Sequence, residues 1–373
     1  MPNQKQIGYR PTWAQVNLDN LAYNFRQVRS LVADKTKVLV TVKADAYGHG
    51  LVKVAKKLVA CGVDYLGVAS IDEGIKLRKA GIRKPILLLG LILKSDIRPV
   101  FTYQLIPTVC DLSLAVSLNR KAAALKQKIP VQIKVDTGMG RIGVQLHEAF
   151  ALVCQISKLK NIQIQGIFTH FPLADLDRKF TQQQIDSFNA LVGDLNKTGI
   201  KIPLVHAANS IGLISHPKSH FTMVRPGLVI YGLYPKKDLG LVLKPVLSLK
   251  TRVIFVKRIK AGCGISYGLT YRTKRPANIV TLPVGYGDGY PRNLSNLARV
   301  LIGNKSFKVS GRVCMDQIMV DVGNYKAKVG EEAVLIGRQG KEQITAEELA
   351  ELSGTISYEI VCGLGSRIPR IYK

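Results

Sequence analysis

Between residues 38 and 232, short apolar runs rich in β-branched residues alternate with amphipathic stretches, and no other feature restricts the possible folds as strongly. Eight runs can be read: VLVTV (38–42), YLGVA (65–69), ILLLG (86–90), LIPTV (105–109), VQIKV (131–135), IQIQGIF (162–168), LVHAA (204–208) and LVIYG (228–232). Helical spacing is plain between them at 111–127 and 178–197. Continuous apolar runs separated by helical periods are the pattern of parallel strands buried on both faces. Eight such repeats in about 200 residues predict a closed, eight-stranded parallel α/β barrel of the TIM type. An open doubly wound sheet is the alternative, and the first run is not followed by the glycine pattern GxGxxG that would support it.

After PKKDLGLVLKP (235–245) the texture changes to β-rich runs such as VLSLKTRVIFVKRI, ANIVTLPV, FKVSGRVCMDQIMVDV and EAVLIG, punctuated by glycine. Residues 18–240 are therefore expected to form the barrel and residues 241–373 a mainly β domain, with residues 8–17 packing against the second unit. One helix is signalled there, ITAEELAELSG (344–354), which opens on a threonine with a glutamate three residues later, a capping box, and ends at glycine. A chain of 373 residues suits a barrel plus a smaller unit.

The formal charge, 54 − 25 = +29, raises the question of nucleic-acid binding. The basic residues come in ones and twos along the whole chain (Lys56-Lys57, Arg78-Lys79, Lys236-Lys237, Lys257-Arg258), with no dense tail and no basic stripe interleaved with aromatics. They are expected to be solvated faces, without a specific nucleic-acid partner, in a field that favours anionic small molecules. Six cysteines (Cys61, Cys110, Cys154, Cys263, Cys314, Cys362) show no CxxC pairing, which argues against a zinc site and a disulfide framework and points to a reducing cytoplasm. No metal is expected. The strongest apolar run, PILLLGLIL (85–93), is far short of the roughly 20 residues that cross a bilayer, so no membrane association is expected.

In α/β barrels chemistry sits at the carboxyl ends of the strands. Lys43 and Tyr47 follow the first run within VKADAYGHG (42–50), DTGMGRIG (136–143) with Arg141 follows the fifth, His170 the sixth, and Asn209 and Ser210 the seventh, while Arg225 and Gly227 flank the eighth. A lysine so placed can form a Schiff base with an aldehyde cofactor if enough of it is neutral. The turn after it, Tyr47-Gly48-His49-Gly50, reads as polar tips on a flexible backbone. Individually each residue has a plainer reading: His170 as a satisfied buried histidine, Arg225 as a surface charge, Ser210 as a helix cap. Their shared location favours a site.

In order and spacing, VKADAYGHG, DTGMGRIG, THF, HAANS, VRPG, YG, ISYG, GYGDGYPR, GRVCMDQ and ISYE resemble the alanine racemase family, over essentially the whole chain. The resemblance implies a pyridoxal 5'-phosphate enzyme that interconverts L- and D-alanine by two-base proton transfer, supplying D-alanine for peptidoglycan, and that works as a homodimer with shared active sites. It implies Lys43 as cofactor attachment point and base on one face of the α-carbon, and Tyr267, from the second domain of the partner subunit, as base on the other. A phenol ordinarily ionises near pH 10, so such a base needs neighbours that favour its anion, and His170 and Arg225 are placed for that. Arg225 would meet the pyridine nitrogen. Tyr47, Ser210, Tyr358 and the amides of Gly227 and Leu228 would hold the phosphate, with Asn209 beside them. Arg141 would contact the cofactor and the substrate carboxylate, with the backbone of Met315 on the same carboxylate. Tyr286 and Asp316 would line the entrance. Lys134 stands where many members carry a carbamylated lysine.

Two positions depart from the family pattern. Leu228 replaces isoleucine, of little consequence if only its amide is used, and Gly287 replaces alanine, which is expected to loosen its loop slightly. A serine or broad-specificity racemase on the same scaffold is the alternative activity. A pyridoxal-phosphate carrier without turnover is the alternative from another class, although it would need neither Tyr267 nor the second domain.

Overall fold

A computed structural model describes residues 9–235 and 239–373; Met1 to Gly8, which includes the first residue of the 8–17 segment, and the Lys236-Lys237 pair with Asp238 lie outside the described residues. Eight parallel strands form the barrel: Lys37–Thr41, Tyr65–Val68, Ile86–Leu88, Thr108–Val109, Ile129–Asp136, Ile162–Phe168, Leu204–His206 and Met223–Val224. Strand one pairs with strand two and with strand eight (Leu39 with Tyr65, Met223 with Lys37), which closes one side. A bridge between Leu87 and Ile106 joins strand three to strand four. Thr222 and Arg225 donate backbone bonds to Val205 and Ala208, joining eight to seven.

The expected eighth strand, LVIYG at 228–232, is instead a buried 3-10 helix, Leu228–Tyr231, ended by Gly232 at φ 73°. The strand itself is the two-residue Met223–Val224, cut short by Pro226. An apolar run of four or five residues does not distinguish a buried strand from a buried helical turn. Here burial against the helix Leu18–Ser30, whose Asn24 amide donates to the Ile230 carbonyl, decides for the helix. The shift has a functional consequence, because Arg225 and Gly227 now follow the eighth strand at its carboxyl end.

Strand alternation divides the barrel interior into layers. Leu39, Leu87, Ile106, Leu204 and Met223 form a buried apolar plug at its base. Two residues further along the same inward faces come Thr41, Thr108, His206 and Arg225, with Gln132 among them, and then Lys43, Lys134 and Phe168. Outward faces pack against the helices in one large core. The plug keeps water from entering below, so the polar layer above it must find its partners inside the protein.

In the second unit, Thr12–Val16 pairs antiparallel with Leu247–Arg252 and parallel with Arg370–Tyr372, in a seven-stranded sheet. A three-stranded sheet (Phe255–Ile259, Ala277–Leu282, Ile318–Gly323) packs beside it. The expected helix runs Ala346–Ser353, capped by Thr345 Oγ1, which accepts from Glu348 N at 3.1 Å, and ended by Gly354 in the left-handed region. Only that half of the capping box forms. The Glu348 carboxylate is drawn away to Arg299, whose Nε donates to it at 2.6 Å.

Candidate active site

Lys43 lies two residues past strand one and opens a turn in which Ala44, Asp45, Ala46 and Tyr47 all take left-handed angles, φ 52° to 56°. Four non-glycine residues in that region cost about 1–2 kcal/mol each, so surrounding contacts must hold them. Glu73 does so: one carboxylate oxygen accepts from Ala44 N at 2.6 Å and the other from Ala69 N at 2.8 Å, tying the ends of strands one and two together. Asp45 accepts from Leu51 N at 2.9 Å and starts the next helix, Leu51–Ala60.

The turn is not a flexible polar tip. His49 is fully buried, its Nδ1 2.7 Å from the Tyr47 carbonyl, and Gly48 and Gly50 are where the second unit presses on the barrel. A Cβ on Gly48 would lie 2.1 Å from the Val361 carbonyl oxygen, and one on Gly50 would lie 1.8 Å from the Tyr372 hydroxyl. The two units therefore jointly clamp the segment that carries Lys43. Burial, then the nearby Arg141, lowers the pKa of the Lys43 amine.

Above the barrel a cavity of about 490 Å³ is lined by Thr41, Lys43, Tyr47, Lys134, Arg141, Phe168, His170, Asn209, Ser210, Arg225, Gly227 and Tyr358 among others. Its floor is Arg225, 5 % exposed, whose Nη2 donates to the Thr169 carbonyl at 2.6 Å and the Ala207 carbonyl at 3.0 Å. The Nη1 donates to His206 Nδ1 at 2.8 Å. Burial, then Arg225, Lys134 and Arg141, holds His170 well below the ordinary histidine range, so it is a neutral imidazole there. Lys134, 3 % exposed, is pulled down to about 8 by burial and the charges of Arg225 and Arg141, and its Nζ lies 5.4 Å above the Phe168 ring.

Arg141 rides on a loop pinned by Asp136, whose carboxylate accepts from Gly138 N at 2.9 Å, Met139 N at 2.8 Å and Gly140 N at 2.9 Å. At another wall stand hydroxyls. The Tyr47 ring lies 4.8 Å from Tyr231 and 5.6 Å from Tyr358, and burial raises both the Tyr47 and the Tyr358 phenol, the latter to about 12, so both remain donors at neutral pH. Ser210 Oγ accepts from Gly227 N at 3.0 Å; Ser210 is not the helix cap. The cap of Ser210–Ser215 is Asn209, whose Oδ1 accepts from Gly212 N at 2.9 Å, so Asn209 lines the cavity with its side chain already committed. A Cβ on Gly227 would lie 2.8 Å from the Tyr47 hydroxyl, so only glycine leaves that cradle open. Leu228 opens a 3-10 turn, a position whose amide has no acceptor within the helix.

Apart from Tyr358, the second unit's expected site residues lie elsewhere in the single chain. Tyr267 (71 % exposed), Met315 and Asp316 line a separate cleft with Ser266, Cys314 and Gln317, and Tyr286 is exposed nearby on the loop that donates Tyr286 N to the Cys314 carbonyl. At Gly287 the space an alanine methyl would take is filled by Arg367, whose Nη1 would lie 2.6 Å from it and whose Nη2 donates to Asp316 at 2.6 Å.

Residues 16–235 match the family profile of the alanine racemase N-terminal domain, and residues 246–372 that of the alanine racemase C-terminal domain. The chain belongs to the alanine racemase family. It is 50% identical over 368 residues to the alanine racemase of Halothermothrix orenii, covering 98% of this chain and 97% of the relative, and 46% identical to that of Carboxydothermus hydrogenoformans, covering 97% and 100%. Among solved structures it resembles the alanine racemase of Clostridium difficile 630 (TM-score 0.93, 40% identity, 98% and 96% covered). It also resembles that of Bacillus anthracis with bound L-Ala-P (TM-score 0.92, 35% identity, 98% and 95% covered).

Within this alanine racemase family member, sequence motifs do not disclose the layer beneath Arg225. His206 stands in the motif HAANS with no role that the motif itself assigns, and Phe168, whose ring stacks on it at 4.8 Å and 6°, has the sequence context of any strand aromatic. The available signal was the position of both residues at the carboxyl ends of their strands. Among the described residues no cluster of His, Cys, Asp and Glu has the arrangement of a metal site, and no helix is long and apolar enough to cross a membrane.

Proposed function

We infer that the protein interconverts L- and D-alanine, using pyridoxal 5'-phosphate attached to Lys43. One observation carries the reading: a half-buried lysine with a lowered pKa shares one cavity with a buried arginine floor and a cradle of neutral hydroxyls and an open glycine backbone. These donors suit a planar, phosphorylated aldehyde: phenols of Tyr47 and Tyr358, Ser210 and the amides of Gly227 and Leu228 for the phosphate, Arg225 for the ring nitrogen. When bound, the cofactor would accept the electron density released as the substrate's α-proton leaves. Asn209 shapes the cradle through its cap.

The residues of the chain do the rest. Lys43 removes or returns the α-proton on one face of the substrate. Tyr267 of the partner subunit serves the opposite face, a role that its exposure here supports, and neutral His170, whose Nδ1 faces an Arg225 donor at 3.5 Å, donates from Nε2 to its phenolic oxygen and favours the anion. Arg141, with the Met315 backbone of the partner subunit, holds the substrate carboxylate, and Lys134 positions Arg141. A Lys134 amine near neutrality, between two guanidinium groups, is suited to carbamylation, which would turn a repelling neighbour into an attracting one. Tyr286 and Asp316 line the entrance. A cytoplasmic location is supported by six cysteines, all free. Eight curated relatives, 41–50% identical to this chain, all bear the name alanine racemase, which favours alanine over serine.

A mixing experiment tests the shared site. Lys43→Ala and Tyr267→Phe are each expected to racemise L-alanine at least a thousandfold more slowly than wild type, about what losing an essential acid-base group costs. Refolded together one to one, they should regain about a quarter of wild-type activity, because half the dimers are mixed and each has one intact site. Absence of recovery would place both bases on one chain and overturn the shared arrangement.

A further inference from the structure

We propose that Gln132 is a positioning residue for Arg225: its side-chain carbonyl fixes the proton of His206 on Nε2, so that Nδ1 always meets the guanidinium as an acceptor. The argument rests on bond direction. A guanidinium has donors only, so the 2.8 Å contact between Arg225 Nη1 and His206 Nδ1 requires an unprotonated Nδ1. A neutral imidazole then carries its proton on Nε2, and that N–H needs an acceptor. Gln132 Oε1, 2.8 Å away, supplies it. Both residues are fully buried, so water does not compete for either bond. Burial, followed by the charges of Arg225 and Lys134, keeps His206 far below its ordinary pKa and hence neutral.

The surroundings set the orientation of the Gln132 amide. Its Nε2 faces Gln165 Oε1 at 3.4 Å, which aims the carbonyl at the histidine. Gln165 is the extra residue of a β-bulge, since Val131 pairs with Ile164 and Gln132 with Gly166. Bulges re-aim a side chain in this way. Gly166 makes the room: a Cβ there would lie 2.9 Å from Gln132 Cδ and 3.1 Å from the Leu204 carbonyl oxygen. Bulge, glycine and glutamine thus combine to place one carbonyl, and stacking on Phe168 keeps the imidazole flat. The consequence for the reaction rests on the reading that Arg225 faces the cofactor ring. With His206 locked as an acceptor, Arg225 is the sole cation of the pair and its guanidinium plane is fixed.

Nitrogen-15 NMR of histidine-labelled holoenzyme between pH 6 and 9 tests this, with the His206 signal assigned by its loss in His206→Asn. The expected wild-type ring shows one-bond N–H coupling at Nε2 and none at Nδ1 throughout. Gln132→Met, of similar length without an acceptor, should lose that single-site pattern, and kcat should fall several-fold with KM little changed. Gln132→Glu should give coupling at both nitrogens and a pH profile for kcat that wild type lacks. A wild-type ring protonated on Nδ1 overturns the proposal even if no variant folds, and so does a Met variant with the wild-type ring pattern. Ring protonation is read without turnover. A protein with the expected pattern that fails to racemise alanine would lose the functional reading and keep this one.

Discussion

A lysine amine is a nucleophile and a base only while it is neutral, and at Lys43 burial and the Arg141 charge both act in that direction. Capture of pyridoxal phosphate by the apoenzyme should therefore rise with pH through a midpoint below the 10.5 of an ordinary lysine. Arg141→Gln removes a positive neighbour, raises the amine pKa, and should shift this midpoint upward with several-fold slower capture at pH 8; stopped-flow absorbance reads it, and an unmoved midpoint would exclude the electrostatic cause. Arg225 sets a second expectation. A guanidinium does not readily yield a proton to the ring nitrogen, whereas a carboxylic acid does. Arg225→Glu should strengthen the electron sink, prolong the carbanion and increase transamination, measured as pyruvate formed per racemisation turnover. An unchanged ratio would sink the argument. The identity and order of these residues could be read in the sequence. That Asn209 spends its side chain on a cap, that Gly287 makes room for Arg367, and that His206 and Gln132 underlie Arg225 could not be, because each depends on a neighbour distant along the chain.

The left-handed turn after strand one is the element on which the site depends. Glu73, projecting from the helix Ile71–Lys79, offsets part of its strain through two bonds to backbone amides. Glu73→Ala should destabilise the protein by about 1–3 kcal/mol, the usual cost of leaving such partners unmet, and should speed cofactor release. Denaturant unfolding and the rate of absorbance loss on dilution check the two effects; wild-type values for both would show that the turn holds itself. Most strands were legible from apolar runs because parallel strands are buried on both faces. The eighth was not. LVIY has the composition of a strand and becomes a 3-10 helix because the barrel closes one segment earlier, through Met223 and Val224. Half of the capping box failed for a similar reason, since Arg299 outcompetes the backbone for Glu348.

The molecule as a whole buries neutral histidines, and this fixes its response to acid. Burial holds His49 at about 4 against an ordinary 6.5, and His170 and His206 are lowered in the same sense. On unfolding these rings regain their ordinary affinity for protons. Stability is therefore whole above pH 6.5 and is lost as pH falls toward 4, by about 3 kcal/mol for His49 alone. The urea midpoint should drop between pH 7 and 5, and a flat profile would mean that the rings are not held neutral. The sequence by itself determined the two-unit organisation, the barrel class and most of the polar residues that line the cavity, since strand periodicity, strand-end position and motif order are local properties of the chain. Only the tertiary structure decided which segment closes the barrel, how Gly48 and Gly50 let the second unit clamp the turn of Lys43, and which partners lie beneath Arg225. Those outcomes depend on packing and hydrogen-bond competition between residues far apart in sequence, where composition and periodicity carry no information.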